Sequence, residues 1–365
     1  MATFFEATSQ KNKLSKLVLS HSEVHGIGVG YANPRKPSQG AGTIVYVERN
    51  ISSKRLATLK ATMERTVGTA SNVPIRFIKS GGFYTDKLVA AQPIYQTRLR
   101  PVPGGVSVGT ATAGTGTAGV ITVNYPNPSR LYVLSNAHVL NPTNDTSFHE
   151  VIQPGRSDGG QPGTDRIGRT YQSVIISTTS VNYLDASIAI ADQNSLLDPR
   201  YLLGNTGQRI VLSGHFVSYP VGLRLRKTGR TSGYGTGTVE SINATTRIQY
   251  PFGIGTFENQ TIVQGDGVVG GPGDSGSVWI GRGFNGSDYA AAVHYSSTSN
   301  MTRSLCFPIQ YAMQTFGLRI AIPATSSARP EAGSLKRAPR KSLAYTQPLT
   351  QREMEQINVV KAKRR

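Results

Sequence analysis

A serine stands inside a glycine-rich run, where a tight turn would expose its hydroxyl group. The run covers residues 270–277 and reads Gly-Gly-Pro-Gly-Asp-Ser-Gly-Ser, with Ser275 as the candidate nucleophile. A serine hydroxyl is a poor nucleophile at neutral pH, so a base must take its proton as it attacks. His138, which follows the apolar residues 131–133, and Asp185, which precedes the apolar run 186–190, are the candidates to supply and orient that base.

These three residues follow one another in the order His138, Asp185, Ser275, with spacings of 47 and 90 residues. An imidazole, whose ordinary pKa is about 6.5, suits the base. A carboxylate on its far nitrogen would fix the tautomer. Each motif alone also fits an ordinary turn or a packed side chain, but the three together predict nucleophilic catalysis. Asp192 competes with Asp185, yet it follows the strand that Asp185 precedes and should lie at the strand's opposite end.

The order and the motifs resemble the chymotrypsin-like (trypsin-fold) serine peptidases. Further segments narrow the resemblance to bacterial trypsin-like peptidases with a small domain before the protease: residues 26–31, 103–109, 134–140, 153–160 and 229–237. The resemblance implies a peptide or protein substrate, no cofactor and no required metal. It assigns the triad to His138, Asp185 and Ser275, and the oxyanion hole to the amides of Gly273 and Ser275.

Specificity rests on the strand after the nucleophile, residues 289–297, where the family places a wall of the substrate pocket. In the related proteases that cut after Glu or Gln, a histidine in a Gly-x-His context reads the substrate side chain. His294 matches that histidine, but Ala292 replaces the glycine, and Gly270 replaces a threonine that often assists. We expect a pocket of His294, Tyr295, Ser296 and Gly270 and a preference for Glu or Gln. The alternative is that His294 packs against Tyr295 or points to solvent.

Glycine and proline punctuate the chain, and short runs rich in Thr, Val, Ser and Tyr lie between them. The 40 Gly and 20 Pro among 365 residues favour short strands and many turns. The predicted fold is mostly β, with a two-barrel chymotrypsin-like protease domain. Its predicted parts are a small α+β domain over 1–84, a linker over 85–100, barrels over 101–205 and 206–322, and a basic tail over 323–365 that is expected to be disordered apart from a short helix over 351–360.

The single cysteine, Cys306, excludes an internal disulfide bond. The first 20 residues hold no long apolar stretch typical of a secretory signal, and we expect a cytoplasmic protein, or a nuclear one if the source is eukaryotic. No run reaches the length of a membrane-spanning helix. Four further histidines lack the spacing of a metal site and are expected to be surface or packing residues: His21, His25, His149 and His215.

The net charge of +19 points to an acidic partner without identifying it. Residues 324–365 hold ten Lys or Arg against three Asp or Glu. Such a tail could bind nucleic acid, an acidic protein or an anionic membrane through charge attraction, or could only solubilise the chain. The alternative function is therefore a protease-fold binding or scaffold protein recruited by this tail. Against a nucleic-acid role, the barrels lack interleaved basic and aromatic residues.

Overall fold

The N-terminal part of the computed structural model is a small α+β unit, and the chain as a whole is mostly β, as the sequence predicts. The structure describes residues 1–68, 71–84, 93–324, 331–333 and 344–362. The elements of the N-terminal unit are α1 (Phe4–Leu19), β1 (Val24–Tyr31), β2 (Ala41–Val47), α2 (Ser53–Val67), β3 (Ile75–Lys79) and β4 (Phe83–Tyr84).

Residues 102–202 form the first barrel and its adjoining strands. The elements are β5 (Val102–Gly104), β6 (Val106–Thr110), β7 (Thr115–Ala118), β8 (Val120–Asn124), β9 (Leu131–Ser135), α3 (Ala137–Leu140), β10 (Glu150–Ile152), β11 (Arg166–Val174), β12 (Val181–Asn182), β13 (Ser187–Ala191) and β14 (Leu197–Leu202).

One bent run of chain, β7 and β8, closes this barrel. β7 pairs with β6 and β8 pairs with β9, and the ring continues through β13, β11 and β10 back to β6. The bend lies at Gly119, where a Cβ would be 2.5 Å from the Gly276 oxygen and 2.8 Å from the Leu134 oxygen. The barrel therefore touches the glycine-rich turn through a position that only glycine fits.

The second barrel is a closed ring of six antiparallel strands. Its region contains β15 (Arg209–Val211), β16 (Gly214–Phe216), β17 (Arg224–Gly229), β18 (Gly233–Tyr250), β19 (Gly253–Gly265), β20 (Val278–Arg282), β21 (Asp288–Thr298), β22 (Arg303–Pro308), α4 (Ile309–Phe316) and β23 (Leu318–Ile320). The ring runs β17, β18, β19, β22, β21, β20 and back to β17. The strand, glycine-rich turn and strand predicted over 221–239 correspond to β17 and β18.

The N-terminal unit continues the sheet of the second barrel. β1 pairs antiparallel with the far half of β18, with Gly26 opposite Thr246 and Val29 opposite Ile242. β2 then pairs with β1, and β3 with β2. A buried lysine adds a polar link, because Lys11 Nζ donates to Thr245 Oγ1 at 2.8 Å. The unit is thus joined to the long hairpin of β18 and β19 along a strand edge.

Part of the predicted linker packs on the first barrel. Residues 85–92 lie outside the described residues, whereas residues 93–100 form defined contacts. Gln153 accepts from the Leu99 amide at 2.9 Å, and its own side-chain amide donates to the Thr97 oxygen at 2.8 Å. Residues 93–100 are therefore fixed to the first barrel.

The C-terminal tail is ordered over residues 344–362, beyond the short helix predicted for 351–360. This segment contains α5 (Gln351–Glu355) and a last strand that pairs with β11, and it follows β24 (Glu331–Gly333), which pairs with β16. The last strand is β25 (Val359–Lys361). The segment contacts both the second barrel and the first. These contacts keep it ordered, although its own few apolar residues do not predict order. No helix in the described ranges is long and apolar enough to cross a membrane.

Candidate active site

The pairing of β9 with β13 brings His138 to Asp185. Ser135 stands opposite Ser187 in this antiparallel register, so the residues just after β9 and just before β13 leave the sheet at the same edge. His138 lies in the short helix α3, and its Nδ1 is 2.5 Å from Asp185 Oδ2. Two of the three residues predicted to form the triad are therefore in direct contact.

Asp185 is fully buried and accepts hydrogen bonds from several directions. Its Oδ1 accepts from the amides of Ala137 at 2.7 Å and His138 at 3.2 Å. The Asn136 side chain donates to the Asp185 main-chain oxygen at 2.7 Å. Because a carboxylate only accepts, Nδ1 of His138 carries the hydrogen, and the lone pair of the neutral ring is on Nε2. This is the tautomer that a general base requires.

Sequence analysis missed one residue of this cluster, Tyr250. It ends β18, its hydroxyl donates to Asp185 Oδ2 at 2.9 Å, and its ring centroid is 6.0 Å from that of His138. Burial, followed by the charge of Asp185, raises the pKa of Tyr250 well above its usual value, so the hydroxyl stays a donor. No local sequence signal points to Tyr250, because it reaches Asp185 only at the end of the 18-residue strand β18 and from 65 positions further along the chain.

The glycine-rich turn places Ser275 against the strand that leads to His138. Gly276 has a φ of +95°, and a Cβ on it would lie 2.2 Å from Ser135 Oγ, at the end of β9. The Ser275 oxygen accepts from the Thr117 amide at 2.7 Å. A Cβ on Gly116 would meet both the Ser275 oxygen at 2.8 Å and the Val139 side chain at 2.6 Å. Ser275 therefore lies beside the residues that flank His138.

The link between nucleophile and base is not closed by a hydrogen bond. Within the described ranges, none of the hydrogen bonds joins Ser275 Oγ to His138. Catalytic hydrogen bonds are often long before substrate binds and shorten in the complex. The structure thus brings His138, Asp185 and Ser275 to neighbouring positions and shows the hydrogen bond between His138 and Asp185.

The hydrogen bonds of the turn distinguish two of its amides from the others. Gly273 has a φ of +103°, and its oxygen accepts from Thr117 Oγ1 at 2.9 Å. The amides of Asp274, Gly276 and Ser277 each donate within the protein. In contrast, no hydrogen bond of the described chain begins at the amides of Gly273 or Ser275. Neither amide therefore has a protein acceptor in the described chain, and the oxyanion hole at Gly273 and Ser275 stays a prediction.

A buried charge network holds the turn in this shape. Asp274 accepts from the amides of Thr231 at 2.8 Å and Ser232 at 3.0 Å, and Lys227 Nζ lies 3.7 Å from its carboxylate. Both charged side chains are fully buried. A second pair crosses between the barrels, because Arg230 Nε donates to Asp158 Oδ2 at 2.7 Å. Asp274 is thus a structural residue of the turn.

His294 lies on β21 directly behind the turn. Its amide donates to the Ser277 oxygen at 2.9 Å, and its Nδ1 is 2.7 Å from Ser304 Oγ. Ser304 Oγ also accepts from Trp279 Nε1 at 2.8 Å. A Cβ on Gly270 would lie 3.2 Å from His294 Cε1, so Gly270 borders this histidine as predicted from the sequence. The imidazole is buried, and the alternative of a solvent-facing His294 does not hold.

Two neighbours on the same strand take different positions. Tyr295 is buried in the core, with its ring 5.1 Å from Phe257 and 6.2 Å from Phe307 by centroid distance. Its placement in the pocket is therefore a wrong prediction, because successive strand residues face opposite sides. Ser296 is buried at the irregular step of β21, after His294.

The remaining candidates lie outside the cluster. Asp192 forms an ion pair with Arg166 at 2.7 Å on the surface, away from His138. The described residues contain no group of three or more His, Cys, Asp or Glu that could hold a metal ion. The basic pairs 336–337 and 340–341 and residues 363–365 lie outside the described chain, so the nucleic-acid interpretation of the tail stays a prediction.

No protein-family model matches this sequence, and no curated protein matches it. Among solved structures, it is similar to a Nocardiopsis protease (20% identity, TM-score 0.44), over 60% of this chain and 98% of that one. It is also similar to a Cellulomonas bogoriensis chymotrypsin (18% identity, TM-score 0.42), over 61% and 99% of the two chains. A glutamic-acid-specific serine protease gives 19% identity and a TM-score of 0.42, over 60% and 100%. These structures are chymotrypsin-fold serine proteases. We infer the chemistry of this chain from its own residues.

Proposed function

We propose that this chain is a serine endopeptidase that hydrolyses peptide bonds through an acyl-enzyme on Ser275. The observation that carries the proposal is the arrangement of a buried His138–Asp185 pair beside a turn that holds Ser275 and two amides without a protein acceptor. A base, a nucleophile and an anion-binding site then converge on one place. This combination is the requirement for acyl transfer.

In the acylation step, Ser275 Oγ attacks the carbonyl carbon of the scissile bond while His138 Nε2 takes the hydroxyl proton. The carbonyl oxygen becomes negatively charged and accepts from the amides of Gly273 and Ser275. Each such donor typically stabilises the transition state by about 3 kcal/mol. When the tetrahedral intermediate collapses, the carbon–nitrogen bond breaks, and protonated His138 gives its proton to the leaving amine.

Deacylation repeats the same chemistry with water. His138 takes a proton from the water that attacks the acyl carbon, the ester bond to Ser275 breaks, and the proton returns to Ser275 Oγ. Throughout, Asp185 keeps the ring in place and stabilises its charged form without taking the proton. The amides that fix Asp185 Oδ1 and the hydroxyl of Tyr250 prevent its carboxylate from turning.

For specificity, we propose that His294 reads a Glu or Gln side chain before the scissile bond. Ser304 must accept from Trp279, because an indole nitrogen only donates. When the Ser304 hydroxyl then donates to His294 Nδ1, the ring hydrogen is on Nε2, and this N–H is the group proposed to donate to a substrate carboxylate or amide oxygen in the complex. Gly270 packs closely beside the ring, because a Cβ on it would lie 2.6 Å from Ser297 Cβ and 3.2 Å from His294 Cε1.

The test is covalent labelling of the purified full-length chain with a fluorophosphonate, compared with Ser275→Ala. We expect labelling of the wild-type chain and none of the variant. Ser277→Ala is the matched control, because Ser277 lies in the same turn and is fully buried. Ser277→Ala should keep its label. Absence of labelling in the wild-type chain would contradict the peptidase proposal and favour a binding protein on a protease fold.

A peptide library then tests the pocket. The wild-type chain should cleave after Glu or Gln. In His294→Leu, the ratio of cleavage after Glu or Gln to cleavage after Ala should fall at least about tenfold, which is the effect of losing one hydrogen bond to a charged group. Labelling with another preference would keep the peptidase and remove His294 from substrate recognition.

A further inference from the structure

The edge of β21 nearest Ser275 is occupied by the chain's own N-terminal unit. β20 pairs with β21 as far as Val293 and then turns away into the glycine-rich run. Beyond that point, strand β4 takes over, with Tyr84 opposite Ser297 and Phe83 opposite Thr298 in antiparallel register. The same strand meets the β18 backbone, where Tyr84 stands opposite Gln249. β4 thus fills the space between the two strands that border the site.

A peptide substrate needs this edge. β21 is tied to the nucleophile turn at His294, whose oxygen accepts from the Gly276 amide at 2.9 Å. Residues 297–298 continue the same strand from there. An extended peptide that crosses Ser275 would therefore add to this edge as a strand, with main-chain hydrogen bonds supplying much of its affinity. β4 already makes that kind of pairing at residues 297–298.

The N-terminal unit holds β4 in place through several contacts. The amides of Ser80 and Gly81 donate to the Val47 oxygen at 3.0 and 3.1 Å. Phe83 is buried, and its ring packs edge-on against Tyr46 with a centroid distance of 5.8 Å. Ser299 Oγ donates to the Ser80 oxygen at 3.3 Å, next to the turn at Gly81 with its φ of +75°. β4 is therefore part of a folded unit that is itself joined to β18.

We propose that β4 is an autoinhibitory strand that occupies the peptide-binding edge and must be displaced before a substrate binds. The proposal rests on the proposed peptidase function, because it regulates that same site. When a site is open for only a fraction of the time, its apparent Kd equals the Kd of the open form divided by that fraction. The N-terminal unit would then set the activity of the enzyme through the opening of β4.

A reversible cross-link tests this directly. Phe83 and Thr298 are directly opposite in the register, and such cross-strand pairs lie within the range of a disulfide bond. Phe83→Cys/Thr298→Cys therefore locks β4 when oxidised and releases it when reduced. The native Cys306 does not interfere, because burial raises the pKa of its thiol to about 12. We expect the oxidised form to react with fluorophosphonate at least about tenfold more slowly than the reduced form.

The matched control is Tyr31→Cys/Ala41→Cys, an opposite pair of β1 and β2 in the same unit, on strands that pair with β18 and β3 rather than with β21. Oxidation of this pair should leave the labelling rate unchanged. Equal rates for the oxidised and reduced Phe83→Cys/Thr298→Cys protein would overturn the proposal. Failure of that disulfide to form under conditions that close the control pair would overturn it as well.

A binding measurement separates this proposal from the peptidase proposal. In the Ser275→Ala background, a fluorescein-labelled hexapeptide ending in glutamate should bind the reduced protein at least about tenfold more tightly than the oxidised one. That result without fluorophosphonate labelling of any Ser275 protein would keep the autoinhibitory strand and reject the catalysis. Equal peptide affinity in both forms, together with normal labelling, would keep the peptidase and reject the strand's role.

Discussion

Tyr250 gives Asp185 a hydroxyl donor that the three-residue motif does not contain. Removing that hydroxyl in Tyr250→Phe would leave the carboxylate with one donor fewer, at a cost of about 1.5–3 kcal/mol for a hydrogen bond to a charged group. We expect kcat to fall by about tenfold or more, with KM nearly unchanged, because Tyr250 acts through Asp185.

The control for this variant is Tyr311→Phe. Tyr311 is also buried and donates to the Asn259 oxygen at 3.3 Å, a bond that involves none of the triad residues. Tyr311→Phe should therefore leave kcat unchanged. A Tyr250→Phe enzyme with wild-type kcat would show that the amides alone hold Asp185.

At this scale, the sequence could predict the residues whose motifs have a fixed local form. His138 and Ser275 stand in such motifs, and Asp185 follows from the order and the strand beside it. Tyr250 could not be found, because it meets Asp185 from 65 positions further along the chain through a hairpin tip. Tyr295 was assigned to the wrong face, because a shift of one residue along a strand moves a side chain from the pocket face to the core face.

Among the elements, the C-terminal segment 344–362 is the clearest departure from the sequence prediction. Its apolar content is too low to suggest order, and its stability comes from contacts with distant elements. The Gln314 side chain bonds both the amide and the oxygen of Leu349, at 3.0 and 3.1 Å. The Tyr219 amide donates to Thr346 Oγ1 at 3.1 Å, and β25 pairs with β11. Because it contacts both barrels, the segment should resist their separation.

This account predicts that Leu349→Ala lowers the free energy of unfolding. Leu349 is 5% exposed and packs in the large hydrophobic core, so we expect a loss of about 3 kcal/mol, measured by urea unfolding. Gln351→Ala, an exposed position in the same segment, should change it by no more than about 0.5 kcal/mol. An unchanged midpoint for Leu349→Ala would mean that the segment is not packed in solution.

For the whole molecule, the sequence predicts the parts more reliably than their assembly. The α+β character of the N-terminal unit, the mostly β fold and the strand-rich region after residue 101 follow from glycine spacing and strand-forming runs. The pairing of β1 with β18 does not follow from such patterns, because the paired residues are more than 200 positions apart and the hydrogen bonds join backbones. For the same reason, no local pattern indicates that β4 lies at the substrate edge.

The assembled molecule also buries an unusual set of phenols, which predicts its behaviour at high pH. Burial raises the pKa of nine tyrosines of the described chain above the usual value, and six of them are almost completely buried: Tyr46, Tyr201, Tyr219, Tyr250, Tyr295 and Tyr311. The neutral phenols are favoured in the folded state, so this contribution to stability is fully present below the unfolded pKa of about 10. As the pH rises past that value, the unfolded chain ionises first and the folded state loses stability.

We therefore expect the melting temperature to stay level up to about pH 9 and then to fall steeply towards about pH 11, with tyrosinate absorbance rising as the chain unfolds. Tyr46→Phe is the informative variant, because it removes one such phenol, and its melting temperature should fall less steeply over that range. Tyr125→Phe is the matched control, since the Tyr125 side chain is 63% exposed. If tyrosinate absorbance rises fully before the protein melts, the phenols are open to solvent in the folded protein. Their burial would then not be the cause of the loss of stability at high pH.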